Sequence, residues 1–539
     1  MSDSASHSTS GLPPDDRRLP QPDLYLKIAT QIRHFFECDL LNLPLAIEGK
    51  ILRVEVKIPP SAPLNWLARQ EADVKTYWFD RESDFIMAGV GVADIIAGDA
   101  PISYPIVFDR LRQHLSALFP RVRYYGGIAF SQDRSLVQPS CVGEASPLET
   151  DRNYGNGTRL DPSWKLFGNY RFIVPKFEMW TDGIDTYFAC NLSWKFWENV
   201  PTDRFHLANI TLPNTEQTEI RISRGRELLD SILQELAQLN FTHTAITVPD
   251  FQPSKLDLPL LIDRVDNPNR LDWHQNIDSV LTKFANLQLD KIVLARQSTL
   301  TFTENIQPQS LLLLLQPHNL HSYHFCFQIN PTTAFIGTSP ERLYYRHDRL
   351  LKTEAIAGTR HRGGSSQLDR ALSDDLRNSA KDIREHLLVV NNIRETLSEL
   401  CDRVTIDRQL TILKLNKVQH LYTQYHGTLK PDLTDADILP KLHPTPAVGG
   451  FPRHQALQMI HKLELFERGW YAAPVGWVSY AETEFAVAIR SGLIDRNRLL
   501  LFAGAGIVCG SQAEEEWAEI ENKIRHFTDL FTNASIEVT

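Results

Sequence analysis

Five carboxylates crowd around one tryptophan in AEEEWAEIENK, residues 513–523. On a helix, Glu516, Glu519 and Lys523 share one face, while Trp517 and Ile520 point elsewhere. Two carboxylates one turn apart can hold a hard cation. Mg2+ in particular uses one or two protein carboxylates and completes its shell with water and substrate oxygens. Charge runs are also common on plain solvated helix faces, so this helix alone leaves both readings open.

Other residues raise the same question singly. Lys291 in DKIVLAR begins a strand that is otherwise apolar. A lysine buried there suits a base; a lysine snorkelling from a strand end is the plain alternative. Arg490 in AVAIRSG is a cation in an apolar run and calls for a fixed anion, such as a substrate carboxylate. Glu341 in GTSPERL follows a proline turn, as a positioned acid or a loop acid. Glu385 in KDIREHL sits on an amphipathic helix, where a surface glutamate is the plain reading. GAGIVCG, residues 504–510, has GxGxxxG spacing and lies too near the C-terminus for a dinucleotide-binding βαβ unit. It reads instead as a tight turn whose bare backbone approaches an anion.

The elements that must position these groups follow from periodicity. ILRVEVKI (51–58) and TYFACNLSW (186–194) alternate as strands, and residues 222–239 form an amphipathic helix. The Pro- and Asp-rich stretch 247–270 reads as a loop region. After it come a helix over 271–288 and a strand over 290–302. A helix over 379–400 carries the stripe Leu387, Val390, Ile393 and Leu397. FAVAIRSGLI (485–494) and LLLFAG (499–504) read as adjacent strands, followed by the turn and the acidic helix. No 20–50-residue repeat is present. Strands and long helices without a βαβ rhythm predict an α+β, or layered α/β, unit.

Composition bounds the function. The 539 residues are 42% hydrophobic and 23% charged, as in a globular protein with ample core. A net charge of -10 supplies no basic footprint for nucleic acid or an anionic membrane. Six scattered cysteines without a CxxC pair argue against zinc or disulfides and fit a reduced cytosol. Residues 1–22 read as a disordered tail without a secretory signal, and the leucine run Leu311–Leu315 is far short of a membrane span.

The chemistry-bearing segments also occur in a telling order: KIVLAR, GTSPERL, TEAIAGT, SAKDIREH, VQHL, HPTPAVGG, RGWYAAPVGW, AIRSG, AGAGIV and EEEWAEIENK. This series resembles the chorismate-utilising enzymes: isochorismate synthases, salicylate synthases and the large component of anthranilate synthase. The likeness spans about 270–530. It implies a large catalytic unit with a two-sheet β core wrapped by helices, divided into a variable part (23–260) and a chorismate-binding region (261–532). It also implies roles. Lys291 matches the general base that activates water, and Glu341 the acid that protonates the departing hydroxyl. Glu385 and Glu519 match Mg2+ ligands, with Glu516 a supporting acid. Gly358, Thr359 and Lys523 match contacts to the ring carboxylate and its metal. Tyr471, Arg490 and Gly504 match the clamp on the enolpyruvyl carboxylate, and His420 an active-site histidine.

Three positions narrow the resemblance. Lys291 stands where ammonia-using relatives carry glutamine, which suits water as nucleophile and implies no glutaminase subunit. Ala357 stands where aminodeoxychorismate synthases carry a nucleophilic lysine. Ala447 stands where salicylate and anthranilate synthases have threonine, which implies an enzyme that stops at isochorismate. The implied protein is a cytoplasmic monomer supplying menaquinone, phylloquinone or salicylate synthesis. RGWYAAPVGW departs from the pattern, with Ala473 in place of glycine. Because alanine disfavours positive φ, the loop after Tyr471 is expected to differ slightly.

Overall fold

Alternating apolar residues build two antiparallel sheets, of twelve and ten strands among the described residues. The computed structural model describes residues 21–39, 49–100, 103–130, 162–193, 214–241, 258–287, 289–319, 321–406, 410–415 and 418–532. The first sheet runs from Ile51–Ile58 through Thr186–Ser193, Phe177–Thr181, Ile86–Val90 and Lys75–Phe79. It continues through Tyr323–Asn330, Thr333–Ser339, Ser491–Asp495, Arg498–Ile507 and Lys291–Phe302 to Gly450–Phe451, and Leu261–Asn267 also pairs with Lys291–Phe302. The second runs from Cys401–Ile406 through Val418–Leu429, Leu350–His361, Arg342–His347 and Glu482–Val487 to Pro474–Val478, Tyr124–Ile128, Tyr170–Val174 and Asp94–Gly98, with Thr411–Lys414 beside Val418–Leu429. Strands from both halves of the chain share each sheet, and Lys75–Phe79 pairs directly with Tyr323–Asn330. The α+β two-sheet architecture is the expected one.

Side-chain parity sorts the core. On Arg498–Ile507, Leu499, Leu501, Ala503, Ala505 and Ile507 pack into a core shared with the helices. Leu500 and Phe502 pack into the core between the sheets. On Lys291–Phe302, Ile292, Leu294, Leu300 and Phe302 take the helix side and Ala295 the inter-sheet side. Lys291 and Val293 have the parity of Ala295.

Four local expectations change. The stretch 247–270 contains the strand Leu261–Asn267, while residues 247–257 lie outside the described residues. FAVAIRSGLI is two strands in different sheets, Glu482–Val487 and Ser491–Asp495, and the chain crosses between them at Ala488–Arg490. Gly504 and Gly506 lie within the strand Arg498–Ile507, not in a turn. On Ala380–Leu400 the buried stripe is His386, Val389, Ile393, Leu397 and Leu400, and Leu387 is 47% exposed. An apolarity count misses His386, which is buried with its Nε2 2.9 Å from Thr423 Oγ1. Residues 1–20 of the expected tail lie outside the described residues, and a helix starts at Gln21. Among the described residues no helix is long and apolar enough to cross a membrane.

The acidic helix Ala513–Thr532 is held on the sheet by charge as well as by Ile520, Ile524, Phe527 and Phe531. Arg296, fully buried on its strand, donates to Glu521 at 2.6 Å and lies 4.1 Å from the centre of the Trp517 ring. Arg264 grips the same carboxylate at 2.5 Å and 3.2 Å. Glu521 is therefore an anchor, not the solvated acid that composition suggests. Glu521→Gln is expected to cost about 2 kcal/mol, since Arg296 would stay buried with only Asp266 to compensate it. An unchanged urea midpoint would show that the contact is dispensable.

Candidate active site

The site opens where two chain segments leave the first sheet together. Ser491–Asp495 pairs with Arg498–Ile507 only as far as Ser491 opposite Phe502. Beyond Phe502 no described strand pairs with Arg498–Ile507 on that side, so the backbone of Gly504 is met by side chains instead. Its carbonyl accepts from Lys523 Nζ at 3.0 Å, and its backbone bonds the Tyr471 hydroxyl. The missing neighbour is the crossover Ala488–Arg490. Beside it Thr333–Ser339 also crosses, through Pro340 and Glu341, into Arg342–His347. The crossovers bond to one another: Thr338 N–H donates to Arg490 O at 3.0 Å and Val487 N–H to Glu341 O at 3.1 Å. Arg490 holds φ at 51°, a left-handed backbone that costs a non-glycine residue about 1 kcal/mol or more.

A cleft of about 700 Å³ lies against these crossovers. Glu341, Glu385, Glu516 and Glu519 line it, as do Gly358, Thr359, His420, Ala447, Tyr471, Arg490, Gly504 and Lys523. Lys291 does not line it. It lies just beneath the floor at Gly506, 1% exposed, with Nζ 2.7 Å from Glu385 Oε1. The geometry brings all thirteen sequence-derived residues to one place.

The glycines supply room. A Cβ on Gly506 would stand 3.0 Å from Lys291 Cε and 3.3 Å from Glu385 Oε1, and one on Gly504 would stand 3.2 Å from the Tyr471 hydroxyl. Gly358, at φ 67°, is a bulge residue, since the register with Val418–Leu429 slips between Ala357 and Thr359. Its carbonyl accepts from His420 Nδ1 at 3.0 Å, and Thr359 Oγ1 lies 3.1 Å from the same nitrogen. Burial, aided by Arg490, holds His420 down at about 4, so the ring is neutral and its buried Nε2 has no hydrogen-bond partner. After Tyr471 it is Ala472, not Ala473, that takes the positive φ, 58°. Ala472 N–H donates to Ala488 O at 3.0 Å, which ties this loop to the crossover.

Charge in the cleft is mostly compensated. Lys523 lies 2.5 Å from Glu519, and Lys381 lies 3.7 Å from Glu516. Burial works upward on Glu519, but Lys523, together with Lys381 and Lys291, outweighs it and holds the carboxyl below its ordinary range. Burial raises Glu516, and its Oε1 is buried without a hydrogen-bond partner. Two groups stand apart. Arg490 has no side-chain hydrogen bond or ion pair among the described residues. Glu341, 5% exposed, is pushed by burial up to about 8; Glu354 adds to the push, while Lys291, Lys523 and Arg81 pull it back. Sequence reasoning passed over Lys381, Arg360, Arg81 and Glu354. Arg360 pairs with Asp382 at 2.8 Å beside the cleft. Only spatial proximity reveals these four.

Among the described residues, no three His, Cys, Asp or Glu side chains are gathered closely enough to hold a metal ion by themselves. Glu385, Glu516 and Glu519 nonetheless supply hard oxygen donors to one cleft, and the Oε1 of Glu516, which has no hydrogen bond and meets Lys381 only at 3.7 Å, fits a cation that takes few protein ligands.

A two-sheet core with an anion cleft at paired crossovers, lined by carboxylates and lysines, defines a class of enzyme acting on small carboxylic acids. Residues 193–532 match the family model described as chorismate binding enzyme, and the chain belongs to that family. It is 32% identical to the chloroplastic isochorismate synthase of Catharanthus roseus over 82% of this chain and 68% of that protein. It is 29% identical to the isochorismate synthase MenF of Bacillus subtilis over 87% of this chain and 90% of that one. The solved structure of MenF, the menaquinone-specific isochorismate synthase of Escherichia coli, superposes with a TM-score of 0.69 at 25% identity, covering 94% of this chain and 100% of that one.

Gly506→Ala would press on the Lys291–Glu385 pair without disturbing the core. Chorismate turnover is expected to fall about tenfold with an unchanged melting temperature. Full activity in this variant would show that the floor has room to spare.

Proposed function

We propose that this chain converts chorismate to isochorismate, adding water at C2 and expelling the C4 hydroxyl. The observation that carries this reading is Glu341, a buried carboxyl pushed up to about 8 that lines the same cleft as the unpaired Arg490. A neutral acid near physiological pH can give a proton to a leaving oxygen. A guanidinium with no side-chain hydrogen bond or salt bridge among the described residues, and only the longer-range pull of Glu519, suits one carboxylate of a dianionic substrate.

The residues divide the work. Arg490, with Tyr471 and the backbone of Gly504 that Tyr471 meets, holds the enolpyruvyl carboxylate and orients the ring. Glu385 and Glu519, supported by Glu516, would hold Mg2+, which when bound takes up charge from the ring carboxylate. Gly358, Thr359 and Lys523 face that carboxylate, and His420 Nε2 offers an acceptor to a substrate hydroxyl. Lys291, in its neutral form and with Glu385 given over to Mg2+ instead of to an ammonium, would take a proton from the water attacking C2. Glu341 gives its proton to the C4 oxygen, which departs as water while the ring double bonds shift. One water enters and one leaves, so the reaction is an isomerisation. Ala447 places no hydroxyl beside the product, which supports an enzyme that keeps its enolpyruvyl group. With water as nucleophile no glutaminase partner is needed, and the enzyme acts as a monomer. The likeness to a menaquinone-specific relative supports quinone synthesis as the use of the product.

Incubation with chorismate and Mg2+, followed by product separation, is expected to yield isochorismate without pyruvate. Pyruvate release would reassign the chain as a salicylate synthase. Lys291→Ala is expected to abolish turnover but keep Mg2+-dependent substrate binding, and normal turnover would remove Lys291 as the base. Glu519→Ala is expected to lose the Mg2+ dependence of binding.

The pH dependence has a definite sign. Glu341 donates only when protonated, so kcat is expected to fall as pH rises through about 8. An alkaline limb unchanged in position by Glu341→Asp would assign that limb to another group.

A further inference from the structure

The N-terminal part of the chain contributes no residue to the reaction as described, yet it reaches the acid. Arg81 follows the strand Lys75–Phe79 in a turn that Asp80 holds, accepting from the backbone N–H of Asp84 at 2.9 Å and Phe85 at 3.0 Å. From there the guanidinium crosses to the second sheet. Its two nitrogens meet the two oxygens of Glu354 at 2.5 Å and 2.7 Å, and Nη1 also donates to Pro340 O at 2.9 Å. Glu354 in turn accepts from Arg342 N–H at 2.9 Å and from the Tyr422 hydroxyl at 3.0 Å. Arg81 and Glu354 thus hold the backbone immediately before and immediately after Glu341. Both are buried.

We infer that Arg81 is a positioning residue for the acid: with Glu354 it clamps the Pro340–Arg342 crossover, and it balances the Glu354 carboxylate that Glu341 faces. The inference rests on the proposed role of Glu341. A bidentate fork fixes direction as well as distance, which a point charge does not. The charged groups facing Glu341 come from three elements and a turn: Glu354 on Leu350–His361, Lys291 on Lys291–Phe302, Lys523 on Ala513–Thr532, and Arg81 in the turn after Lys75–Phe79. Glu354 pushes harder than Arg81 pulls. Removing both charges therefore favours the ionised acid.

The test is the pH dependence of kcat and KM with chorismate and Mg2+, with melting temperatures recorded beside it. In the double variant Arg81→Gln, Glu354→Gln, the alkaline limb is expected to move down by about half to one pH unit. A merely structural role would lower stability or kcat and leave the limb in place. Arg81→Lys keeps the charge and loses the fork. Its limb is expected to stay at the wild-type position while kcat falls about tenfold and KM changes less than twofold. A folded double variant with an unmoved limb overturns the inference, and so does wild-type kcat in Arg81→Lys. If the double variant does not fold, Arg81→Lys alone decides. If the wild-type protein does not turn over chorismate, the functional reading fails instead.

Discussion

Two strands that cross between sheets side by side cannot also fill the sheet they leave. The cleft follows from that constraint. The strand Arg498–Ile507 outruns Ser491–Asp495 because the chain before Ser491 has gone to the other sheet. The vacated space leaves Gly504 with an unpaired backbone edge. Unpaired backbone is costly where water is excluded, and Lys523 and Tyr471 meet it from opposite elements. The helix Ala513–Thr532 must therefore sit over this gap. Arg296, Arg264 and Glu521 fix it there.

The electrostatics follow from the same geometry. Each carboxylate assigned to Mg2+ has a lysine partner in the protein alone: Lys291 for Glu385, Lys381 for Glu516 and Lys523 for Glu519. Buried charge without such partners would be far too costly to keep. Glu341 escapes the same cost by staying neutral, since no cation lies close enough to ionise it against burial and Glu354. Arg490 has no such escape, because a guanidinium does not give up its proton. Among the described residues it has no salt bridge, only the longer-range pull of Glu519, and that is the strongest pointer to an anionic ligand. The strain at φ 51° is kept by the hydrogen bonds that join the two crossovers.

Much of this was legible in the sequence. The motif residues converge as the resemblance implied, and most long strands and helices begin within a residue or two of their periodic runs, although the helix expected over 222–239 is Asn214–Ala237. What was hidden is tertiary. AVAIRSG reads as one strand because alternation continues through a crossover, and period two does not record which sheet a residue faces. GAGIVCG reads as a turn because glycine usually marks one, whereas here Gly504 and Gly506 make room above Lys291 and beside Tyr471. Leu387 looks like core because hydrophobicity outranks His386, which is buried with one polar contact.

The acids of AEEEWAEIENK show why composition alone could not separate them. Glu514 pairs outward with Arg270 and His274. Glu515, Glu516 and Glu519 line the cleft. Glu521 faces the opposite way, onto Arg296 and Arg264. Helical angle separates Glu519 from Glu521, but it does not say which of the two meets a cleft and which a buried arginine. That depends on strands more than 200 residues earlier in the chain, whose parity places Lys291 toward the cleft. Arg296, five residues on, pairs with the helix instead, so one strand supplies both the proposed base and the anchor. A shift of one residue in that strand's register would lose both at once.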